Sequence, residues 1–372
     1  MTVAAFMDLA LYDPHVGYYA RAARRSGRAG DFFTSVDVGP LFGELLEVQV
    51  ADVFQISDFR FQIDLVEVGA SDGRLAADIL RAAKRRDAAL YDALRLHLVE
   101  ASAEARAAQR ATLADVADRL ASSSPELPES FEGVLIANEL LDALPVHQVV
   151  MREDGLREVY VDRGEGGSAR PALHTLEDEP STPALQQYLD ALGVRLEPGW
   201  CAEINLRAID WIRNAARRLR RGFIVLIDYG HEARDLYSAG HSAGTLTTFA
   251  RHRSAGPEQS PEPGRRSPGE GRPIWLRDPG EQDLTSHVDF TSVRAAAEAE
   301  GMTTIGFLDQ TYFLLALAEP ARFEGSATMK ERLALKTLLM PGGLGSTHKV
   351  LILGKGVGSP TLRSLSFKVR AT

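Results

Sequence analysis

The stretch DLVEVGASDGRLAADIL, residues 64–80, holds the residues of this chain best spaced for chemistry. An apolar run ends at Glu67, turns over Gly69, Ser71 and Gly73, and continues into a helix-forming segment. Glycines at such a turn permit positive φ and let the backbone come close to a bound molecule. Amide groups at the following helix start favour a carboxylate. A second acid, Glu100, ends the next apolar run, LHLVE. It is placed to accept hydrogen bonds from two ribose hydroxyls, while Glu67 could orient an ammonium through intervening groups. Together these residues describe the outline of a nucleotide-type cofactor loop. The bland alternative is a tight strand-to-helix turn with no ligand at all.

A dinucleotide would need Gly-x-Gly-x-x-Gly, the later glycines touching the pyrophosphate and packing helix on strand. Counted from Gly69, those positions hold Ser71 and Arg74, and both fail. The chain fits acidic-x-Gly-x-Gly-x-Gly instead, as Glu67-x-Gly69-x-Ser71-x-Gly73, with serine for the middle glycine. That pattern resembles the first motif of the Rossmann-like S-adenosylmethionine-dependent methyltransferases, whose cofactor has a sulfonium and no phosphate.

The elements that must position these residues alternate. Strand patterns FQIDLVEV (61–68), LRLHLVE (94–100), GVLIAN (133–138) and FIVLIDYG (223–230) are separated by Ala-, Leu-, Arg- and Glu-rich helical patterns. Such alternation implies right-handed crossovers and a parallel sheet covered on both faces, an α/β fold. TTIGFL (303–308) and HKVLILG (348–354) complete the sheet as an edge pair. Residues 1–58 read as mostly helical, ending in the amphipathic GPLFGELLEVQVADVF. VHQVVMREDGLREVYVDR alternates on either side of Asp154-Gly155, a hairpin signal. Residues 251–280 contain six prolines and read as a long loop. The aromatics of HVGYYA are assigned to the core.

Bulk properties narrow the class. The 372 residues are 45% hydrophobic and 25% charged, with net charge −9, which argues against nucleic-acid binding by the whole surface. A single cysteine, Cys201, excludes an internal disulfide and suggests a reducing compartment, read here as cytoplasm. Nine histidines show neither HxxxH nor HExxH spacing, so no metal is expected. No apolar run approaches the roughly 18–20 residues of a membrane span. The basic RAARRSGR is preceded by core-like sequence and is not read as a presequence. Arginine clusters at 81–86 and 213–221 are taken as solvated helix faces.

Further blocks occur in order: LYDPHVGYY near the N-terminus, then GDFFTS (30–35), FGELL (42–46), ANELLDALPVHQ (137–148), IDYGH (227–231), GTLTTFARHR (244–253), DPGEQDLTSHVDF (278–290) and THKVLILGKG (347–356). With these the chain resembles the MidA-like family of class I methyltransferases over roughly residues 6–356. The resemblance implies a Rossmann-like class I fold with a mostly parallel seven-stranded sheet, a helical N-terminal extension and inserted hairpin and helical elements. The corresponding divisions are 1–58 as extension and lid, 59–356 as the S-adenosylmethionine-binding core with insertions at about 146–200 and 240–285, and 357–372 as a tail. It further implies S-adenosyl-L-methionine as cofactor and an arginine-containing protein as partner, a respiratory NADH dehydrogenase (complex I) subunit among the clients. Two departures stand out: the family has Gly-Pro-Gly where this chain has Gly69-Ala70-Ser71, and a proline where it has Asp37.

For an arginine acceptor the always-charged guanidinium must be held by carboxylates. Within IANELLDALP, Glu139 is the first choice and Asp142, one helical turn on, the second; Asn138 could bond cofactor or acceptor. The bland readings are a solvated first-turn acid at 139 and a helix cap at 142. Asp31, in the segment that the resemblance places as a lid, is the third catalytic candidate. Ser35 reads equally as an N-cap, and Asp228 as a buried turn carboxylate satisfied by backbone donors. His147 and His287 could accept a proton, but structural hydrogen bonding is preferred for both. Three other functions stay open: a small-molecule methyltransferase, a non-catalytic assembly factor and an NAD-dependent oxidoreductase, the last disfavoured by Arg74. Oligomeric state is open too, a homodimer being one option.

Overall fold

Ile63–Val68 is a run of six consecutive buried residues, the pattern of a strand covered on both faces rather than one side wet. It is an interior strand of a large sheet. In the computed structural model, which describes residues 1–22, 34–56, 62–163, 173–250, 253–255, 273–318, 328–339 and 347–367, the strands of that sheet are β1 (Ile63–Val68), β2 (Leu94–Val99), β3 (Leu120–Ser124), β4 (Phe131–Asn138), β5 (Leu219–His231), β6 (Thr303–Asp309) and β7 (His348–Lys355). Their order is β6-β7-β5-β4-β1-β2-β3, and an eighth, two-residue strand, Val288–Asp289, pairs in parallel with the end of β5 off this path. β1 pairs in parallel with β2 and β4, β2 with β3, and β4 with β5. Only β7 runs antiparallel to its neighbours β5 and β6. The sequence-expected edge pair is thus β6 and β7, with β7 inside the sheet and β6 at its rim.

The chain divides into two compact units. One comprises 33–140, 211–229 and 294–372, and contains this sheet. Its core joins residues from Leu41–Ile56 and Arg74–Arg86, such as Phe42, Leu46, Leu75 and Ile79, to the apolar faces of β1, β4, β5 and β7. Gly43 makes the helix contact close: a Cβ there would lie 2.5 Å from Asp78 Cβ. Residues of the tail join this core. Leu362 is 1% exposed in the same core, and the Arg363 amide donates to Asp52.

The other unit comprises 1–32, 141–210 and 230–293, so residues 1–58 are shared between the two. It begins with the helix Val3–Tyr12, whose Thr2 side chain caps the Ala5 amide at 3.1 Å. Strands His147–Arg152 and Gly155–Arg163 form the expected hairpin, its turn one residue earlier than the Asp154-Gly155 signal: Arg152 is opposite Gly155, leaving Glu153-Asp154 as the two-residue turn. Leu173–Asp178 and Cys201–Ile204 flank it in a four-stranded antiparallel sheet. Tyr18 packs in this unit's core, and Tyr19 donates to Asp283, as a core assignment requires. Part of the expected long loop is ordered structure: Arg253–Ala255 is a short strand and Ile274–Leu276 a buried turn. Residues 251–252 and 256–272 of that stretch lie outside the described residues. Among the described residues, no helix is long and apolar enough to cross a membrane.

Candidate active site

Register fixes what meets at the carboxyl edge of the sheet. Val68 is paired with both Val99 and Ala137, and Asn138 with Ile227. The residues that follow, Gly69, Glu100, Asn138 and Asp228, therefore emerge side by side at the edge where open α/β sheets bind ligands.

The loop after β1 is left-handed at three positions: Gly69 at φ 71°, Ser71 at 47° and Gly73 at 85°. Amides of Gly69 and Ala70 both donate to the Val99 carbonyl, at 3.0 and 3.1 Å, tying the loop to the end of β2. A Cβ at Gly69 would lie 3.1 Å from Leu140 Cδ1, so the glycine also serves close packing. Gly73 is the cap residue of the helix Arg74–Arg86. Serine at 71 accepts a backbone conformation that costs an L-residue about 1–2 kcal/mol. The turn is held nonetheless: the Ser71 amide donates to Glu100 Oε2 at 2.9 Å and its carbonyl accepts from Gln109 Nε2 at 2.8 Å.

Glu100 is fixed by backbone. Its Oε1 accepts from the Ser102 amide at 2.7 Å while Oε2 takes Ser71. Each carboxylate oxygen has a second lone pair, so two acceptor positions remain for hydroxyl donors. Glu67 behaves differently. Its carboxyl is buried and accepts from the Ala76 amide at 3.0 Å, in the first turn of the helix. Burial, outweighing that bond, pushes its pKa up to about 8, with Asp72, Glu100 and Asp78 adding to the rise. Glu67 thus acts on the loop through the helix start.

Asn138 and Glu139 carry the polar atoms left unmatched. Glu139 sits at φ 50°, outside any helix, with Oε1 accepting from the Ser35 amide and from Asn138 Nδ2, both at 3.2 Å. Its Oε2 and Asn138 Oδ1 are buried with no hydrogen-bond partner among the described residues. Buried acceptors are rarely left so, and each such atom calls for an explanation, a bound donor among them. His348, at the start of β7, lies 3.5 Å from the same carboxylate. Asp228 anchors the segment from the other side, accepting from the Leu140 and Tyr229 amides at 3.1 and 2.8 Å, the turn-carboxylate reading.

Several expectations need correcting. NELLDALP is not helical: residues 139–146 form bends and turns, because the Asp228 carboxylate and the Ile227 carbonyl take the Leu140 and Glu139 amides. The shared helical face of Glu139 and Asp142 is therefore absent, as are the solvated first-turn acid and the helix cap. Asp142 is 4% exposed, and its carbonyl accepts from the Ser286 amide. Asp31 lies outside the described residues. Ser35 is not an N-cap; it is fully buried in the turn 35–38, its hydroxyl donating to Gln310 at 3.4 Å. Asp37, the family's proline position, accepts from the Thr34 amide and from Arg74 at 2.7 Å, so the acid that stands for proline ties this turn to the helix start behind the glycine loop. His147 has its structural bond, Nδ1 to Glu158 at 2.7 Å. The His287 ring does not: its Nδ1 is buried without a partner among the described residues.

Sequence reasoning missed Gln109, Gln310 and His348. Gln109 offered one signal, a lone amide on the apolar face of Ala103–Leu113, where it is fully buried.

Comparison with known proteins places this geometry. Residues 45–308 match the family of S-adenosyl-L-methionine-dependent methyltransferases, and the chain belongs to that family. A Drosophila melanogaster protein named protein arginine methyltransferase NDUFAF7 homolog, mitochondrial, is 28% identical, covering 95% of this chain and 82% of its own. The Mus musculus protein arginine methyltransferase NDUFAF7, mitochondrial, is 29% identical over 95% and 76%. A crystal structure from Burkholderia thailandensis bound to S-adenosyl-homocysteine superposes with a TM-score of 0.81 at 28% identity, covering 99% of this chain and 90% of that one. The protein is an enzyme with the class I fold and S-adenosylmethionine as its cofactor. The cytoplasmic assignment is overturned: these relatives are named as mitochondrial, and cysteine usage separates oxidising from reducing compartments without distinguishing among the latter.

Proposed function

We propose that this methyltransferase modifies a guanidinium nitrogen of a protein arginine, with Glu139 holding the acceptor and with Gly69, Ser71, Gly73, Glu100 and Asn138 seating the cofactor. S-adenosylmethionine supplies an activated methyl group whose thioether leaves without acid assistance. The chain's own residues bind, align and exclude water, an effect worth several kcal/mol in well-oriented reactions. Glu67 sets the loop indirectly through the Ala76 amide. Asp142 is kept as second carboxylate on the strength of its burial, and Asp31 as a candidate from sequence.

The observation that carries the reading is the unmatched Glu139 Oε2. A cation that never loses its charge needs a carboxylate, and a carboxylate already bonded on one oxygen presents the other for charge-assisted contact. Arginine as acceptor is supported by the names of the relatives, and a respiratory NADH dehydrogenase subunit as client by the sequence blocks that resemble the MidA-like family. The test is transfer from isotopically labelled S-adenosylmethionine into an extract of cells lacking this protein. The expected product is a protein band gaining about 14 mass units per methyl, mapped to arginine by peptide sequencing. Label found only on lysine or in the small-molecule fraction would overturn it.

A further inference from the structure

Three histidines far apart in sequence converge within the unit that comprises 1–32, 141–210 and 230–293. His231 ends β5, His241 ends the short turn Ala239–His241, and His287 precedes the strand Val288–Asp289. Their ring centroids are 4.9, 5.3 and 5.9 Å apart, and one ligating nitrogen from each lies within 4.8 Å of the others. We propose that His231, His241 and His287 form a binding site for a divalent transition metal, zinc in the first instance, with solvent as fourth ligand.

Backbone, not chance side-chain rotation, brings the rings together. Gly230 and His231 pair in parallel with Val288 and Asp289. A Cβ at Gly230 would lie 2.1 Å from the Val288 carbonyl, so glycine is what lets the two segments close. The His287 amide is fixed by the Thr245 hydroxyl at 3.0 Å, and the His241 amide by the Ser238 carbonyl at 2.9 Å.

Ring chemistry points the same way. His241 Nδ1 lies 2.9 Å from the Asp235 carbonyl, an acceptor only, so Nδ1 carries the proton and Nε2 keeps its lone pair. That backbone contact is the outer-shell arrangement that orients metal-binding histidines. His287 Nδ1 is buried and has no partner among the described residues. The rings of His231 and His241 both face it, with centroids at 5.3 and 5.9 Å. Three imidazoles with one open position suit zinc. Zn–N bonds of about 2.0–2.1 Å would draw the nitrogens to roughly 3.3 Å apart, a contraction within reach of side-chain rotation.

The experiment is a zinc titration of metal-free full-length protein against a chromophoric chelator, repeated with cobalt for its four-coordinate absorption. One saturable equivalent is expected. His241→Ala and His231→Ala should each weaken zinc binding at least about 100-fold, since outer-shell changes alone cost up to that much. His241 sits in a partly exposed turn, so His241→Ala should fold normally; unchanged calorimetric binding of S-adenosyl-homocysteine verifies this, and a zinc-dependent rise in Tm should be present in the parent and absent in the variant. No saturable binding, or equal affinity in parent and variants, overturns the site.

Discussion

Glu139 Oε1 and His348 Nε2 are 3.5 Å apart, with side chains 6% and 0% exposed, so a carboxylate and an imidazole share a dry corner at the edge of the sheet. Glu139 reaches that corner in a left-handed conformation, φ 50°, which costs a non-glycine residue of the order of 1–3 kcal/mol and persists only where surroundings over-determine it. Ser35, Asn138 and the Ile227 carbonyl do so here. Strain, burial and an unmatched oxygen thus fall together on the residue proposed to hold the acceptor.

Glu139→Gln keeps the shape and removes the charge. Turnover on the proposed arginine substrate should fall by about 100-fold or more, the scale on which a single transition-state contact acts. Calorimetric affinity for S-adenosyl-homocysteine should stay within about twofold. Near-normal turnover in the variant would remove Glu139 from the reaction.

Glu100→Ala tests the cofactor side. The variant strips two backbone amides, Ser71 and Ser102, of their acceptor as well as losing the two lone pairs offered to a ribose. Affinity for S-adenosyl-homocysteine should drop by about 1–3 kcal/mol, the value of a hydrogen bond to a charged group. Unchanged binding would show that Glu100 serves only the loop's own geometry.

Positions 71 and 73 should respond in opposite senses. Ser71→Gly relieves the left-handed serine, worth about 1–2 kcal/mol, against roughly 0.4–1 kcal/mol of extra unfolded-chain entropy. The net is a gain of roughly 0–1.6 kcal/mol in urea unfolding. Gly73→Ala places a Cβ at φ 85° and 3.2 Å from Leu98 Cδ1, and should lose at least about 1 kcal/mol. A destabilised Ser71→Gly would mean that the hydroxyl has a function the geometry does not reveal.

How much of this the sequence carried depended on range. Glu67, Gly69, Ser71 and Gly73 lie within seven residues, and strand alternation fixed their place at the end of β1, so local pattern sufficed. The corner around Glu139 draws on Ser35, Gln310 and His348, which no spacing connects; only the strand order β6-β7-β5-β4 assembles them. NELLDALP looked helical because its residue types favour helix, yet Asp228, 88 positions away from Leu140, claims its amide. Likewise His231, His241 and His287 follow no ligand spacing, and meet through the pairing of Gly230 with Val288.

Glu67 gives the last test, through pH. An unfolded glutamate titrates near 4.5, whereas burial raises the folded group to about 8. Between those values the folded protein retains a proton that the unfolded chain has released, so stability must fall as pH rises through this window and level off above it. Every tenfold difference in proton affinity between the two states corresponds to about 1.4 kcal/mol, so the whole window spans a few kcal/mol. Glu67→Gln keeps an acceptor for the Ala76 amide and cannot ionise. The variant should match the parent near pH 5 and exceed it near pH 8.5 in urea unfolding, with the difference growing steadily between. Parallel curves for the two proteins would mean that the buried carboxyl is not held protonated, and that a compensating charge reaches it in solution.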